Sequence, residues 1–159
     1  MKDIQLESLT LKQFDMKNKK HLIILKSLVT DESVMSRFTG FLPRLNEKST
    51  DALNKGYLIA DQDKLVGFID IGAYDKSDKC VYLRAAIDKN ERGKRYGKRS
   101  LSEVSNYLFQ NYKEIESIRL KIARDNTASR NTAASSGYKW LIDDFYYLDN
   151  PYLEKNKAK

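Results

Sequence analysis

The chain has 159 residues, 41% of them hydrophobic, which suits one domain with a buried core and excludes a disordered polypeptide. Its single cysteine, Cys80, excludes a disulfide framework and a paired-thiol metal site, so no metal is expected. A net charge of +7 favours phosphate-bearing partners, but the lysines are spread from Lys2 to Lys159 with no interleaved aromatic motif, so nucleic acid is not the expected partner.

In chain order the pattern mixes strands and helices without a repeat or linker. Ile4 to Leu11 alternates as a strand, and Phe14 to Val29 recurs at helical spacing. The apolar run Leu22 to Leu25 is too short to cross a membrane, and no secretory layout precedes it, which makes a cytoplasmic address the default. A second helical stretch is expected between Asp31 and Lys55, broken near Gly40 and Pro43. Tyr57 to Ala60 and Leu65 to Tyr74 then read as strands joined by the turn Asp61 to Lys64. Val81 to Ile87 makes a fourth strand. After a loop, Leu101, Val104, Leu108 and Phe109 share one helical face. Ile118 to Ala123 makes a fifth strand, parallel to the fourth because a helix separates them. Tyr138 to Ile142 and Phe145 to Leu148 close the sheet.

The loop between strand four and its helix carries the sharpest signal. Asn90 to Gly97 reads Asn-Glu-Arg-Gly-Lys-Arg-Tyr-Gly, a basic, glycine-punctuated turn that feeds a helix start. The unpaired N–H groups of a first helical turn attract an anion, and Gly93 and Gly97 let a phosphate approach the backbone. A nucleoside-triphosphate loop needs a wider glycine gap and a Ser or Thr after its Lys, whereas Arg99 follows Lys98 here. The dinucleotide fingerprint needs another glycine spacing. Alone, such a loop also reads as an ordinary turn with a solvated basic face.

A second block runs from Asp125-Asn126-Thr127-Ala128-Ser129 to Gly137-Tyr138. Asp125 or Asn126 caps a helix, Gly137 supplies the left-handed residue past its end, and Tyr138 starts the next strand.

Together the blocks resemble those of the GNAT superfamily of CoA-dependent N-acyltransferases. Arg92 to Gly97 is similar to its Arg-x-x-Gly-x-Gly pyrophosphate loop, with Arg95 in place of the usual middle glycine. Asn126, Ser129 and Gly137-Tyr138 are similar to its Asn-x-x-Ala/Ser and Gly-Phe/Tyr block. The resemblance covers most of the chain, and the sharp motifs cover Arg92 to Tyr138. It implies an α/β (mixed α+β) fold in a single domain over 1–153, with a disordered basic tail over 154–159. The implied sheet is mostly antiparallel, with about six to seven strands, parallel splayed strands four and five, and about four flanking helices.

The resemblance further implies an acetyl-CoA-dependent transferase that passes an acetyl group directly to a primary amine of a small molecule or a protein N-terminus. Acetyl-CoA would be held by Arg92, Gly93, Lys94, Arg95, Tyr96, Gly97 and Lys98, with Arg95 serving at a negative φ. Backbone N–H groups over Ala85, Ala86 and Ile87 would meet the oxyanion. Asn126 would bond the pantetheine arm, and Ser129 would protonate or orient the sulfur, as in the RimL-like branch; a solvated first-turn serine is the alternative. The family's strand-four glutamate aligns with Val81, which leaves Tyr82, Asp70 or an ordered water as the amine's base. Asp70 also reads as an exposed strand residue. His21 has no expected role, and Cys80 reads as a core residue.

The acceptor wall would come from Ser33 to Asn46 and from Asp143 to Tyr152, an acid and aromatic mix suited to a cationic amine, or a plain polar turn. A homodimer, a CoA-binding domain without turnover, and a basic module for phosphate or nucleic acid remain as alternatives.

Overall fold

The computed structural model describes residues 3–36, 41–46 and 51–153. The expected tail over 154–159 and parts of the second helical stretch lie outside the described residues.

The chain enters through a hairpin. Ile4–Gln5 (β1) pairs antiparallel with Thr10–Lys12 (β2), and the Leu6 N–H donates to the Leu9 carbonyl at 2.8 Å across the turn. The expected single strand over Ile4 to Leu11 is therefore corrected. Ile4 and Leu6 stand in one alternation frame, Leu9 and Leu11 in the other, so a straight strand would bury one pair and expose the other. Turning at Glu7-Ser8 buries Leu6, Leu9 and Leu11 together.

Helix α1 (Lys19–Val29) starts where the Asn18 side chain accepts from the N–H groups of Lys20 and His21, satisfying two of the donors a helix start leaves open. Helix α2 (Glu32–Met35) is capped in the same way by Asp31, and α3 (Phe41–Leu45) follows. The next strands are β3 (Lys55–Asp61) and β4 (Lys64–Ile71), joined by a tight turn in which Gln62 takes φ 56°. Then come β5 (Cys80–Ile87), a 3-10 turn over Lys89–Glu91, α4 (Tyr96–Asn111) and β6 (Ser117–Lys121). Helix α5 (Thr127–Ser135) ends at Gly137, φ 91°, where the N–H of Tyr138 reaches the Ala133 carbonyl and that of Gly137 the Ala134 carbonyl. The hairpin β7 (Lys139–Ile142) and β8 (Phe145–Asp149) completes the sheet.

The described strands form one eight-stranded sheet in the order β1-β2-β3-β4-β5-β6-β8-β7. The strand beyond the expected six to seven is the extra arm of the N-terminal hairpin. All pairs are antiparallel except β5 with β6, the parallel pair expected from the intervening helix.

Strand alternation divides the core into two layers. On one face Ile24 and Leu28 of α1, Val34 of α2 and Leu45 of α3 pack on Leu58 of β3 and Phe68 of β4. On the other, Leu101, Val104 and Leu108 of α4 pack on Ile59, Ile69, Val81, Leu83 and Ile118. Each such side chain, fully buried, contributes about 1.5–3 kcal/mol. The helices thus brace the sheet from both sides of β5.

Candidate active site

The parallel pair holds for only part of its length. Cys80, Val81 and Tyr82 pair with Ser117, Ile118 and Arg119. Beyond that point Leu83 to Ile87 keep their partners on β4 and have none on β6, so a gap opens between the strands. The N–H of Gly72 reaches the Tyr82 carbonyl at 2.8 Å, and the N–H of Asp88 the Val66 carbonyl at 2.8 Å, which puts the peptide groups of residues 82, 84, 86 and 88 on the β4 side. The N–H groups of Ala85 and Ile87 therefore point into the gap. That of Ala86 belongs to the β4 ladder, and its methyl packs in the layer under α1. Ala85, although in mid-strand, is exposed.

The gap leads to the start of α4. Its first helical bond runs from the Arg99 N–H to the Arg95 carbonyl, 2.9 Å, and the N–H groups of Tyr96, Gly97 and Lys98 find no acceptor among the described residues. With the helix dipole behind them they form an anion seat. Arg95 stands at φ 67°, not at the negative φ expected of it. The middle position of the loop needs the left-handed backbone that a glycine adopts freely, and arginine holds it at a cost of about 1–2 kcal/mol. Gly93 is likewise left-handed, φ 79°. Gly97 faces α5: a Cβ there would lie 3.6 Å from Thr132 Cγ2 and 4.0 Å from Ile87 Cγ1, so the two helices leave room for about a methyl group at this point.

Most of the loop's cations already have partners. Arg92 donates to Asp31 at 2.8 Å and to the Ile87 carbonyl at 3.1 Å. Lys94 and Lys64 converge on Glu91 at 2.9 and 3.2 Å, which holds that carboxyl below the usual range. Arg99 reaches Asp61 at 3.5 Å and Ser8 at 2.9 Å, and lies over the Tyr96 ring. Arg95 and Lys98 have no ion pair among the described residues and line a surface cavity of about 310 Å³ beside the helix start. Of the four cations expected to hold acetyl-CoA, Arg92 and Lys94 are committed to Asp31 and Glu91, and Arg95 and Lys98 are not.

On the neighbouring helix Asn126 caps α5, its Oδ1 accepting from the Ser129 N–H at 3.3 Å. The Ser129 hydroxyl is half-buried and has no partner among the described residues. Both residues sit at the N-terminal end of α5, following the strand that borders the gap.

On the opposite face of the sheet Asp70 is buried and gripped on both oxygens, by Arg44 at 2.9 Å and Arg84 at 2.9 Å. Both of its oxygens are therefore committed to guanidinium donors. Tyr82 packs edge-on to Phe145, with ring centroids 6.0 Å apart, and its hydroxyl meets the Arg119 guanidinium. His21 is buried away from the gap; it stacks on Phe14, its Nδ1 accepts from the Asp15 N–H at 3.0 Å, and burial lowers its pKa. Cys80 is fully buried, which pushes its thiol pKa up and leaves it inert. The acids of the β7–β8 turn line a cavity of about 370 Å³ together with Arg124 and Arg130, so their charge is balanced locally.

Arg119, Lys121, Asp31 and Thr132 also border this region and were not singled out from sequence. The first two had a signal: within Ile118-Arg119-Leu120-Lys121 the cations alternate with core residues and must share the face opposite α4.

Residues 24–138 match the sequence profile of the acetyltransferase (GNAT) family. No curated protein matches the chain. Among solved structures, a GNAT-family acetyltransferase from Bacillus anthracis superposes with a TM-score of 0.73 at 17% identity, covering 94% of this chain and 99% of that one. A variant of the spermidine N-acetyltransferase SpeG from Vibrio cholerae gives 0.70 at 16%, covering 94% and 98%. RimL, a ribosomal L7/L12 alpha-N-protein acetyltransferase in complex with coenzyme A, gives 0.66 at 16%, covering 93% and 98%. At these identities the structures establish the fold, and the profile establishes the family. By that match over residues 24–138 the chain belongs to the GNAT family of acetyltransferases, enzymes that use acetyl-CoA as acyl donor.

Proposed function

We propose that this protein transfers an acetyl group from acetyl-CoA directly to a primary amine of a small molecule or a protein N-terminus, within one ternary complex. The observation that carries the reading is the gap beyond Tyr82 and Arg119, lined by the unpaired N–H groups of Ala85 and Ile87 and continuous with the open amides of Tyr96, Gly97 and Lys98. The diphosphate fits the helix start, and the arm runs from there toward the gap. The thioester carbonyl then reaches the N–H groups of Ala85 and Ile87, donors positioned before charge develops on its oxygen.

In the transfer a C–N bond forms as the C–S bond breaks. The amine's proton is lost and the thiolate gains one, giving an amide and free CoA. A lysine-type amine, pKa about 10.4, is mostly protonated at neutral pH and must lose a proton first. Tyr82, at the mouth of the gap, is the side chain suited to relay that proton to solvent, since Asp70 is committed to Arg44 and Arg84. The uncommitted Ser129 hydroxyl supplies the proton to the sulfur, with Asn126 holding the turn that orients it.

Acetyl-CoA, and neither ATP nor an oligonucleotide, should raise the melting temperature, because a ligand bound only to the folded state stabilises it by mass action. Thiol release with an amine panel then demonstrates turnover. A thermal shift without thiol release would leave a CoA-binding domain without turnover, and a shift with oligonucleotide alone would replace this reading with a basic binding module.

A further inference from the structure

The face of the sheet opposite α4 carries a charge pattern that acetyl transfer alone does not require. The registers put Tyr82 beside Arg119, Arg119 beside Tyr147, and Lys121 beside Phe145, so these residues share one face. It is the face that α1, α2 and α3 cover over β3 and β4, with Ala86 of β5 at the margin of that layer. The carrier helix α4 packs on the other side. Tyr82 and Arg119 are the last pair before β5 and β6 part, so the patch borders the gap from the acceptor side.

Within the patch, positive charge is under-compensated. Arg119 is half-buried, yet its Nε has no hydrogen bond among the described residues. Its nearest carboxylate is the exposed Asp78, 3.4 Å from Nη1. Burying a donor without an acceptor costs about 1–3 kcal/mol, so the guanidinium is incompletely satisfied within the fold, and its terminal nitrogens are the ones a partner can meet. Lys121 has no ion pair among the described residues and lies 5.9 Å from the centre of the Phe145 ring. Arg44 and Arg84, on the same face, both contact the Asp70 carboxylate. A guanidinium beside aromatic rings fits a carboxylate with an apolar body, and repels a polycation.

We propose that the acceptor is a primary amine that also bears a carboxylate: Arg119 and Lys121 receive the carboxylate, Tyr82 and Phe145 the apolar portion, and the amine reaches the gap beside Ala85. The assignment rests on the acetyl-transfer reading above. The carboxylate comes either from a free amino acid or from an acidic side chain behind a peptide N-terminus.

Thiol release at saturating acetyl-CoA tests this with matched acceptors: phenylalanine against phenylalaninamide, the peptide amide Ala-Glu-Ala against Ala-Lys-Ala, and spermidine. The carboxylate-bearing member of at least one pair should have a kcat/KM about tenfold higher or more, and which pair shows it identifies the source. Arg119→Gln should erase the preference by raising KM for the carboxylate substrate, leaving KM for its neutral partner and the acetyl-CoA thermal shift unchanged. Lys121→Gln, at an exposed position, should reduce the preference by a smaller factor and serves if Arg119→Gln does not fold. Equal rates within both pairs, a preference for spermidine, variants that slow both members equally, or acetyl-CoA binding with no turnover of a carboxylate-bearing amine would overturn the assignment while leaving the donor site intact. Absence of any acetyl-CoA thermal shift would instead overturn the reading beneath it.

Discussion

The Asp31 carboxylate that caps α2 lies 2.8 Å from the Arg92 guanidinium in the loop before α4. Because Arg92 also donates to the Ile87 carbonyl at 3.1 Å, one arginine ties the end of β5, the loop and α2 together. Replacing Asp31 with alanine removes a helix cap worth about 1 kcal/mol and a half-exposed ion pair worth at most about 1 kcal/mol after screening. Urea denaturation should report a loss of roughly 1–2 kcal/mol, and calorimetry a weaker affinity for acetyl-CoA. Full stability in Asp31→Ala would mean that the tie contributes nothing.

Arg95 makes a sharper prediction about the backbone. Its φ of 67° is a glycine conformation, so Arg95→Gly should leave stability unchanged or raised by up to about 1 kcal/mol, whereas Arg95→Val should lower it by about 1–2 kcal/mol. The same glycine variant should bind acetyl-CoA a few-fold more weakly, because one of two uncommitted cations is gone. Differential scanning calorimetry and a binding titration separate the effects.

At Gly97 the neighbours stand at ordinary contact distance from an added Cβ. Gly97→Ala should therefore fold and bind acetyl-CoA with a modest loss. Gly97→Glu should fold and lose binding, since it puts bulk and negative charge at the anion seat. Indistinguishable affinities for Gly97→Glu and wild type would remove the loop from the donor site.

Ser129→Ala should lower kcat by about tenfold or more with little change in acetyl-CoA affinity. The unpartnered hydroxyl contributes no hydrogen bond to the fold among the described residues, so the melting temperature should not move. An unchanged kcat would exclude the serine from protonating the sulfur.

The buried imidazole of His21 gives a pH signature apart from catalysis. Desolvation lowers its pKa below the usual 6.5, although Asp15 and Asp3 oppose the shift. The unfolded chain therefore takes up the proton first, and stability present above pH 6.5 declines as pH falls below that value toward the folded pKa. Asp31 and Asp61, held low mainly by the Ser33 and Tyr96 hydroxyls, shift stability only below their usual 3.8. Melting temperature should thus fall between neutral pH and about pH 5 in the wild type, and His21→Gln should flatten that segment.

What the sequence made legible was local. The alternation of Val81 to Ile87, the face of Leu101, Val104 and Leu108, and the asparagine and glycine at the ends of α5 each depend on residues a few positions apart. The N-terminal hairpin was written in the same code, as the frame change between Leu6 and Leu9, but a single frame was read through it. The open amides at Tyr96 to Lys98 follow from a motif that starts a helix. The fate of its cations does not, because Arg92 meets Asp31 and Arg99 meets Asp61 only after the sheet assembles. The left-handed Arg95 was likewise hidden, since arginine itself carries no preference for that backbone. Nor could spacing show that Arg44 and Arg84 close on Asp70 from different elements.

The central claim is that the open amides at the start of α4 and the unpaired N–H groups of β5 receive one ligand, acetyl-CoA. Titrating acetyl-CoA into the ¹⁵N-labelled protein and following each backbone amide tests it directly. The largest shifts should fall on Tyr96, Gly97, Lys98, Ala85 and Ile87, with little change at Arg124, Asp143 and Asp144. Shifts centred on the β7–β8 turn, with the α4 amides unmoved, would contradict it.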